Sequence, residues 1–267
     1  MMLLTTHGLT RRYSGLVAVD GVDLAIPEGG IHAVIGPNGA GKTTLFNLLT
    51  GIVPPSEGGI VFDGQEIGSL PAHRRAALGI ARTFQNIRLF SGMSVLENVL
   101  TGLHPRLPTG LLATMLRLPR FRAEERDAVA SARAALEMVG LQALADAPAD
   151  ALSYGDQRRL EIARALVAAP RLLLLDEPAA GMNPAETQGL GELIRRIAAD
   201  GTTVLLVEHD MHFVMELSET ISVLNFGRLI FAGSPREVRS EPKVVEAYLG
   251  ARLAAKLHAH AGTTHGQ

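Results

Sequence analysis

Residues 36–44 read Gly-Pro-Asn-Gly-Ala-Gly-Lys-Thr-Thr, and this stretch decides how the rest of the chain is interpreted. It satisfies the pattern G-x-x-x-x-G-K-[ST], in which backbone N–H groups and a helix N-terminus form a concave site for phosphate. An apolar run at 31–35, interrupted only by His32, precedes the loop, and apolar residues at helical spacing follow it. Because strand, glycine loop and helix are the context that the motif requires, the sequence predicts a nucleotide site rather than an ordinary glycine-rich turn.

The residues of this loop have distinct candidate roles. Glycines permit backbone torsions and close approaches that a Cβ would block. Lys42, one of only three lysines among 25 basic residues, can reach the β- and γ-phosphates. The Thr43 hydroxyl can ligate Mg²⁺. The predicted nucleotide-contacting set is Gly36, Pro37, Asn38, Gly39, Ala40, Gly41, Lys42, Thr43 and Thr44.

The composition of the chain limits its class. At 267 residues and 47% hydrophobic content it can form one large domain or two small ones. A formal net charge of −2 argues against a nucleic-acid surface, and the absence of cysteine excludes disulfides, thiolate nucleophiles and cysteine-based zinc sites. The start of the chain lacks the features of a signal peptide, and no apolar run approaches the ~20 residues of a membrane helix. We expect a soluble, cytoplasmic protein.

Polar residues follow three further apolar runs. The runs and their ends are 79–84 before Gln85, 172–175 before Asp176-Glu177, and 202–207 before Glu208-His209. Continuous apolar runs are typical of strands buried in a parallel sheet, and ligands bind at the carboxyl ends of such strands. We therefore expect the phosphate loop and these polar residues to converge on one edge of the sheet.

These polar residues suit phosphoryl chemistry. Asp176 can hold Mg²⁺, and Glu177 can accept a proton from an attacking water. Gln85 can bridge Mg²⁺ and water, and His209 can contact the γ-phosphate. Each also has a simpler interpretation: the acidic pair as a helix cap, Gln85 as a surface residue and His209 as a packed or solvated histidine.

Other parts of the chain show local patterns. Short strands are predicted in the first thirty residues, where Tyr13 either stacks on an adenine ring or is an ordinary aromatic on a strand surface. Asp63-Gly64 predicts a hairpin turn. The chain from Ser94 to Leu152 is predicted to be a helical insertion, in which Leu111–Leu118 is either a contact surface or local core.

A second turn precedes the apolar run that ends at Asp176. Residues 152–159 read Leu-Ser-Tyr-Gly-Asp-Gln-Arg-Arg and open a predicted helix, so Ser153 is an N-cap or part of a second anion site. From about Leu3 to Gly250 the chain now resembles the nucleotide-binding subunit of an ABC transporter. The matching motifs are the phosphate loop, Gln85 in the Q-loop, Ser153–Asp156 as the signature, Leu172–Glu177 as Walker B, and His209 as the switch histidine.

Finer details resemble the ATPase subunits of branched-chain amino-acid importers. The stretches concerned are Arg82–Asn86, Tyr154–Glu161, Glu177–Pro184, Glu208–Met211 and Tyr248–Gly250. The resemblance implies an α/β fold: a P-loop NTPase core of the RecA type with a mainly parallel sheet, an N-terminal antiparallel β subdomain, and an α-helical subdomain inserted at about 90–160. It further implies an ATPase domain over 1–250, a flexible tail over 251–267, and ATP and Mg²⁺ as cofactors.

The resemblance also implies a mechanism and partners. Two ATPase subunits would sandwich two ATP molecules head to tail, with Ser153 and Gly155 of one gripping the γ-phosphate bound by the other. Glu177 would activate water, and Tyr13 would stack on the adenine. The implied partners, at the cytoplasmic face of the inner membrane, are a second ABC ATPase subunit, more in keeping with a heterodimer than a homodimer, two transmembrane permease subunits and, indirectly, a solute-binding protein.

Three residues depart from the wider family pattern. Tyr154 stands at a usual glycine, Asp156 at a usual glutamine, and Asn183 at a usual aspartate. A carboxylate near phosphate would be repulsive unless Asp156 caps backbone N–H groups, which its place at the helix N-terminus permits. The part played by Asp156 and Asn183 in the site completed by a partner subunit is left open.

Other functions compete with amino-acid import. They are an ABC transporter for another solute, a soluble ABC ATPase acting on ribosomes or DNA, and a kinase or GTPase. The chain has no second cassette, no long coiled-coil insertion and no Asn-Lys-x-Asp guanine motif, which argues against the last two. Histidines 258, 260 and 265 are either a metal-binding tract or part of a solvated tail.

Overall fold

The structure is a computed structural model that describes residues 1–106 and 119–248. Its strands are β1 (Met2–Tyr13), β2 (Leu16–Val22), β3 (Ala25–Pro27), β4 (Ile31–Ile35), β5 (Glu57–Phe62), β6 (Gln65–Glu66), β7 (Ile80–Arg82), β8 (Leu172–Asp176), β9 (Thr203–Val207), β10 (Thr220–Asn225) and β11 (Arg228–Gly233). Its helices are α1 (Lys42–Leu49), α2 (Ala72–Ala77), α3 (Val95–Leu100), α4 (Pro119–Val139), α5 (Tyr154–Leu166), α6 (Pro184–Ala199), α7 (Met211–Leu217), α8 (Pro235–Ser240) and α9 (242–248).

The chain forms two units, one of residues 1–69 with the chain from 207 onward, and one of residues 70–206. In the first unit, β1 pairs antiparallel with β2, β3 and β5, as the N-terminal antiparallel subdomain requires. The β5–β6 hairpin turns at Asp63 and Gly64, which have φ of 50° and 75°. Two successive positive φ angles are those of a type I′ turn, so the predicted hairpin is confirmed.

The same unit contains the strand and the helix that flank the phosphate loop. All five residues of β4 are buried, and β4 runs parallel to β10, which is antiparallel to β11. Helix α1 begins at Lys42 directly after the loop and buries Leu45, Phe46, Leu48 and Leu49. The predicted order of strand, glycine loop and helix is therefore present.

The second unit contains the strands that carry the acidic pair. Strands β7 and β8 are parallel, β9 lies next to β8, and every residue of β8 and β9 is buried. The predicted strand at 79–84 is shorter than expected and ends at Arg82. The backbone N–H and C=O of Phe84 bond instead to the side chains of Glu161 and Arg158, so this residue has left the ladder.

The stretch from Ser94 to Leu152 is helical in its described part. Helix α4 packs against α3 and α5, and the predicted apolar face is buried at Ala132, Ala135, Leu136 and Val139. The candidate contact surface at 111–118 and the histidine tail lie outside the described residues. Among the helices described, none is long and apolar enough to cross a membrane.

Candidate functional site

The phosphate loop is closed by its own lysine. Lys42 is 6% exposed, and its Nζ donates to the carbonyls of Gly36 at 2.7 Å and Pro37 at 3.0 Å. The ammonium group therefore bridges two carbonyls of the loop and places its positive charge close to the N-terminus of α1. Asn38, Gly39 and Thr43 are exposed around it. The arrangement is a concave, positively charged cradle of the kind that binds phosphate.

Two glycines of the loop are required by close backbone approaches. A Cβ on Gly36 would lie 2.2 Å from the Leu224 carbonyl oxygen, and one on Gly41 would lie 2.4 Å from that of Ala18. Gly41 also has φ of 100° and serves as the N-cap of α1. By contrast, a Cβ on Gly39 would meet no atom within 4 Å, so this side of the loop is open. The open side is where a ligand can approach the N–H groups.

Two more predicted residues lie in the same unit. Tyr13 ends β1 with 39% of its surface exposed, and the guanidinium of Arg11 lies 4.6 Å from its ring centroid. An exposed ring backed by a cation is a suitable stacking platform. His209 is exposed after β9, just before Asp210, whose carboxylate accepts hydrogen bonds from the first N–H groups of α7. His209 is therefore accessible to a ligand.

In the second unit, the structure brings together Gln85 and the acidic pair. The Gln85 amide donates to the Glu177 carboxylate at 2.8 Å. Asp176, buried at the end of β8, forms an ion pair with Arg82 of β7 at 2.7 Å. Within this unit the predicted convergence of strand ends is therefore present. Convergence with the phosphate loop and His209 stays a prediction.

Glu177 has a strained backbone. Its φ of 49° lies in the left-handed region, which a non-glycine residue occupies at a cost of order 1–3 kcal/mol. This backbone conformation changes the direction of the chain after β8, so that Asp176 is buried while Glu177 is only half-buried. Of the two adjacent carboxylates, one is thus buried beside a guanidinium and the other is accessible. The sequence placed Arg82 in a stretch that resembles importer subunits, but no pattern indicated its ion pair with Asp176.

The signature turn is held against the loop that follows the acidic pair. Ser153 is the N-cap of α5, and its Oγ accepts from the Asp156 N–H at 3.2 Å. The Tyr154 hydroxyl donates to the Ala180 carbonyl at 3.0 Å. Gly155 is buried, and a Cβ there would come within 3.1 Å of Glu186. The tyrosine at this unusual position therefore fastens the turn to residue 180 of the same chain.

Asp156 takes a different role from the backbone cap that its position permits. Its carboxylate accepts from the Ser153 hydroxyl at 2.9 Å and lies 3.9 Å from Arg159, while Ser153, not Asp156, caps the backbone. A carboxylate three residues into a helix is favoured by the helix dipole, so it needs no capping bond. Asn183 instead takes a capping role: it is the N-cap of α6 and forms a capping box with Glu186.

A groove of about 370 Å³ opens beside the Q-loop in this unit. Its lining is aromatic and basic with one acid: Arg82, Phe84, Arg88, Phe90, Thr101, Gly102, Glu161, Arg164 and Ala165. Phe90 is 51% exposed, although large apolar side chains are usually buried. The groove therefore offers apolar contact and excess positive charge to a partner.

The residues present fit ATP and Mg²⁺. The predicted ligands of the ion are a threonine hydroxyl, an amide oxygen and a carboxylate, which are the hard oxygen donors that Mg²⁺ prefers. Asp176 is 3% exposed, and its negative charge is balanced by the guanidinium of Arg82. A carboxylate this deeply buried needs a cation beside it, and Mg²⁺ could fill that place. In the described part of the chain, no group of three or more His, Cys, Asp or Glu residues could hold a metal by itself. The phosphates would have to supply further ligands.

Comparison with known families agrees with this geometry. The profile of the family described as "ABC transporter" matches residues 19–180. A second profile, described as "Branched-chain amino acid ATP-binding cassette transporter", matches residues 228–254. The chain therefore belongs to the ABC transporter family, within which it is an ATP-binding cassette ATPase.

Several relatives are similar over nearly their whole length. The high-affinity branched-chain amino acid transport ATP-binding protein BraF of Pseudomonas aeruginosa is 49% identical, covering 93% of this chain and 98% of its own. The corresponding LivG protein of Escherichia coli K12 is 47% identical with the same coverage. The lipopolysaccharide export system ATP-binding protein LptB of Acidithiobacillus ferridurans is 36% identical, covering 93% of this chain and 97% of its own.

Solved structures show the same fold. A nucleotide-free ATP-binding cassette from an ABC transporter superposes with a TM-score of 0.81 at 32% identity, covering 93% of this chain and 99% of the other. A dimeric cassette in a post-hydrolysis state with ADP and Pi superposes with a TM-score of 0.73 at 25% identity, covering 87% and 99%. The α/β fold with antiparallel and helical subdomains is thus confirmed.

Proposed function

We propose that this chain is the ATP-hydrolysing subunit of an importer for branched-chain amino acids, bound peripherally at the cytoplasmic face of the inner membrane. The observation that carries the solute class is the match of residues 228–254 to a profile of branched-chain amino-acid cassettes. The names of relatives at 47–49% identity support it, whereas the lipopolysaccharide exporter subunit is less similar, at 36%. The ATPase domain is proposed to span residues 1–250.

We assign nucleotide binding to the phosphate loop and Tyr13. The loop N–H groups and Lys42 hold the phosphates, and the exposed Tyr13 ring stacks on the adenine. Mg²⁺ bound with ATP would neutralise charge that develops on the phosphates. Its protein ligands would be Thr43, Gln85 and Asp176, and Asp176 would exchange Arg82 for the ion.

Hydrolysis is assigned to three side chains. Glu177, accessible and held by Gln85 at 2.8 Å, takes the proton of the attacking water. Gln85 orients this carboxylate, and its amide can also hold the water. His209, exposed beyond β9, donates a hydrogen bond to the γ-phosphate. Each role needs an accessible polar group, and each of these side chains provides one.

A second ATPase subunit completes the site in this proposal. Ser153 and Gly155 of one subunit contact the γ-phosphate bound by the other, and closure excludes water. A related cassette has been solved as a dimer, which makes such pairing reasonable here. We propose a heterodimer with a related subunit rather than a homodimer.

The groove beside the Q-loop is the proposed docking site for a permease. Three arginines line it against one glutamate, and Phe84 and Phe90 supply apolar surface. The fitting occupant is a cytoplasmic helix that carries a carboxylate and large apolar side chains, because its charge complements the groove. Two permeases are expected, with a solute-binding protein acting on them from outside.

Co-purification tests this proposal. We would tag the full chain in its native host, solubilise the membranes mildly, and identify what is recovered by mass spectrometry. The expected result is two permeases and a related ATPase, together with stimulation of leucine, isoleucine or valine uptake that requires this chain. Recovery of ribosomes or DNA-repair proteins without a permease would overturn the transport function and leave the ATPase assignment intact.

A further inference from the structure

A buried arginine joins the signature helix to the Q-loop. Arg158, in the first half of α5, has 0% of its surface exposed. Its Nη1 donates to the Phe84 carbonyl at 2.8 Å, and its Nη2 donates to the Gln85 carbonyl at 2.8 Å. The planar guanidinium is well suited to hold two neighbouring carbonyls in this way, because its donors lie in a fixed fork.

A buried glutamate completes the arrangement. Glu161, 1% exposed, pairs with Arg158 at 3.0 Å, and its other oxygen accepts from the Phe84 N–H at 3.3 Å. Both backbone polar groups of Phe84 are therefore bound by the two charged side chains of α5. Burial raises the pKa of Glu161, opposed mainly by the positive charge of Arg158. Arg164 also lies 3.8 Å from Glu161, so the buried carboxylate faces two cations, and removing Glu161 alone would leave positive charge in excess at this buried site.

The side chain of Gln85 connects the Q-loop to Glu177. While Arg158 holds the Gln85 carbonyl, the Gln85 amide donates to Glu177 at 2.8 Å. A continuous set of hydrogen bonds thus runs from α5 through the Q-loop backbone to the residue proposed as the base. Phe84 and Glu161 also line the basic groove, so a bound partner would contact this set directly.

We propose that Arg158 is a positioning residue, which fixes the Phe84 and Gln85 carbonyls on α5 and so places the Gln85 amide against Glu177. The assignment rests on the proposed role of Glu177 for its effect on hydrolysis, but the fixing of the Q-loop backbone does not depend on that role. A partner that moves Phe84 or α5 would displace Gln85 with it. A movement of the signature helix or of the groove residue Phe84 would therefore change the position of Gln85 relative to Glu177.

The experiment compares hydrogen exchange and turnover in the full chain. In the double variant Arg158→Met with Glu161→Met, both charges are removed together, which avoids leaving one of them buried and unpaired. We expect a melting temperature close to that of the unaltered chain, with exchange of the Phe84 amide at least about 10-fold faster, because its hydrogen bond to Glu161 is lost together with the bonds that hold the two carbonyls. We expect kcat for ATP to fall by at least about 10-fold with little change in KM, because Gln85 and Glu177 act on water.

Two further variants make the result decisive. Arg158→Lys keeps the charge but cannot hold both carbonyls, so it should also speed exchange of the Phe84 amide and lower kcat. This variant decides the matter if the double variant fails to fold. Arg133→Gln, which removes an exposed arginine of α4, is the control and should change neither quantity. A folded variant with unchanged exchange of the Phe84 amide would overturn the proposal. Faster exchange with unchanged kcat would support the fixing of the Q-loop but overturn the effect on Glu177.

Discussion

Lys42 shows at the scale of one residue how the loop prepares for a ligand. Its buried ammonium donates to two carbonyls of the loop that it serves, at 2.7 and 3.0 Å. These bonds keep a positive charge beside the phosphate cradle, and phosphate oxygens would offer stronger, charged acceptors in their place. The Lys42 side chain is thus already ordered beside the phosphate site before a nucleotide binds.

The consequence is a prediction for Lys42→Ala. We expect affinity for ATP to fall by at least about 10-fold, since a charge-assisted hydrogen bond contributes roughly 1.5–3 kcal/mol. The measurement is titration of the full chain with a fluorescent ATP analogue, with the melting temperature recorded to confirm folding. Lys243→Ala, on the exposed side of α9, is the matched control and should bind as before. Unchanged affinity in Lys42→Ala would contradict the assignment of the loop.

Local patterns indicated the residues of the candidate site, but not the contacts that hold them. The loop, Gln85, Asp176 and Glu177 were recognisable because each follows an apolar run or fits a motif. Arg82 and Arg158 fall in stretches that resemble importer subunits, but no pattern assigned either of them a contact, since an arginine in an apolar strand or a polar helix turn looks like any exposed one. Their partners, Asp176 and the Phe84 and Gln85 carbonyls, lie more than seventy residues away in sequence. Only the tertiary fold brings them together.

At the scale of elements, caps determine where the short helices begin. Helix α3 begins after Ser94, whose Oγ accepts from the Glu97 N–H at 3.1 Å while Glu97 accepts from the Ser94 N–H at 2.7 Å. The backbone hydrogen bond from Ser94, with help from its side chain, lowers the pKa of Glu97 below its usual value. The ionised form is therefore favoured by folding, and the capping box stabilises α3 more strongly when Glu97 is charged.

This linkage has a definite sign. Because the folded-state pKa of Glu97 is lowered, its contribution is present above pH 4.5 and is lost as the pH falls through the folded-state value. We predict that Glu97→Gln reduces the free energy of unfolding at pH 7 and that the difference narrows as the pH falls below about 5. Urea unfolding of both chains across that range measures it. Glu125→Gln, an exposed glutamate of α4, is the control; a gap that stays constant with pH would rule out the linkage.

For the whole molecule, sequence patterns predicted the element order better than the element ends. Buried strands such as β8 and β9 matched their apolar runs closely because continuous burial leaves a clear signal. The strand at β7 ended early because Glu161 and Arg158 took the hydrogen bonds of Phe84. That competition between a ladder and distant side chains has no local signature. The function likewise depends on chains outside this one, which no single sequence describes.

Glu177→Gln tests the proposed cycle of the whole molecule. The amide oxygen of a glutamine can still accept from Gln85, so the fold and ATP binding should persist. It cannot take a proton from water, so we expect hydrolysis to slow by about 10²- to 10⁴-fold, as for loss of a general base.

Because ATP is then retained, the closed dimer should accumulate. Size-exclusion chromatography with light scattering should detect this ATP-dependent dimer, formed either by two copies of this chain or by this chain and the related subunit recovered with it. Glu192→Gln, an exposed residue of α6, should turn over ATP normally. Normal turnover in Glu177→Gln would place the base elsewhere; slow turnover without an ATP-dependent dimer would keep the base and remove the proposed closure between subunits.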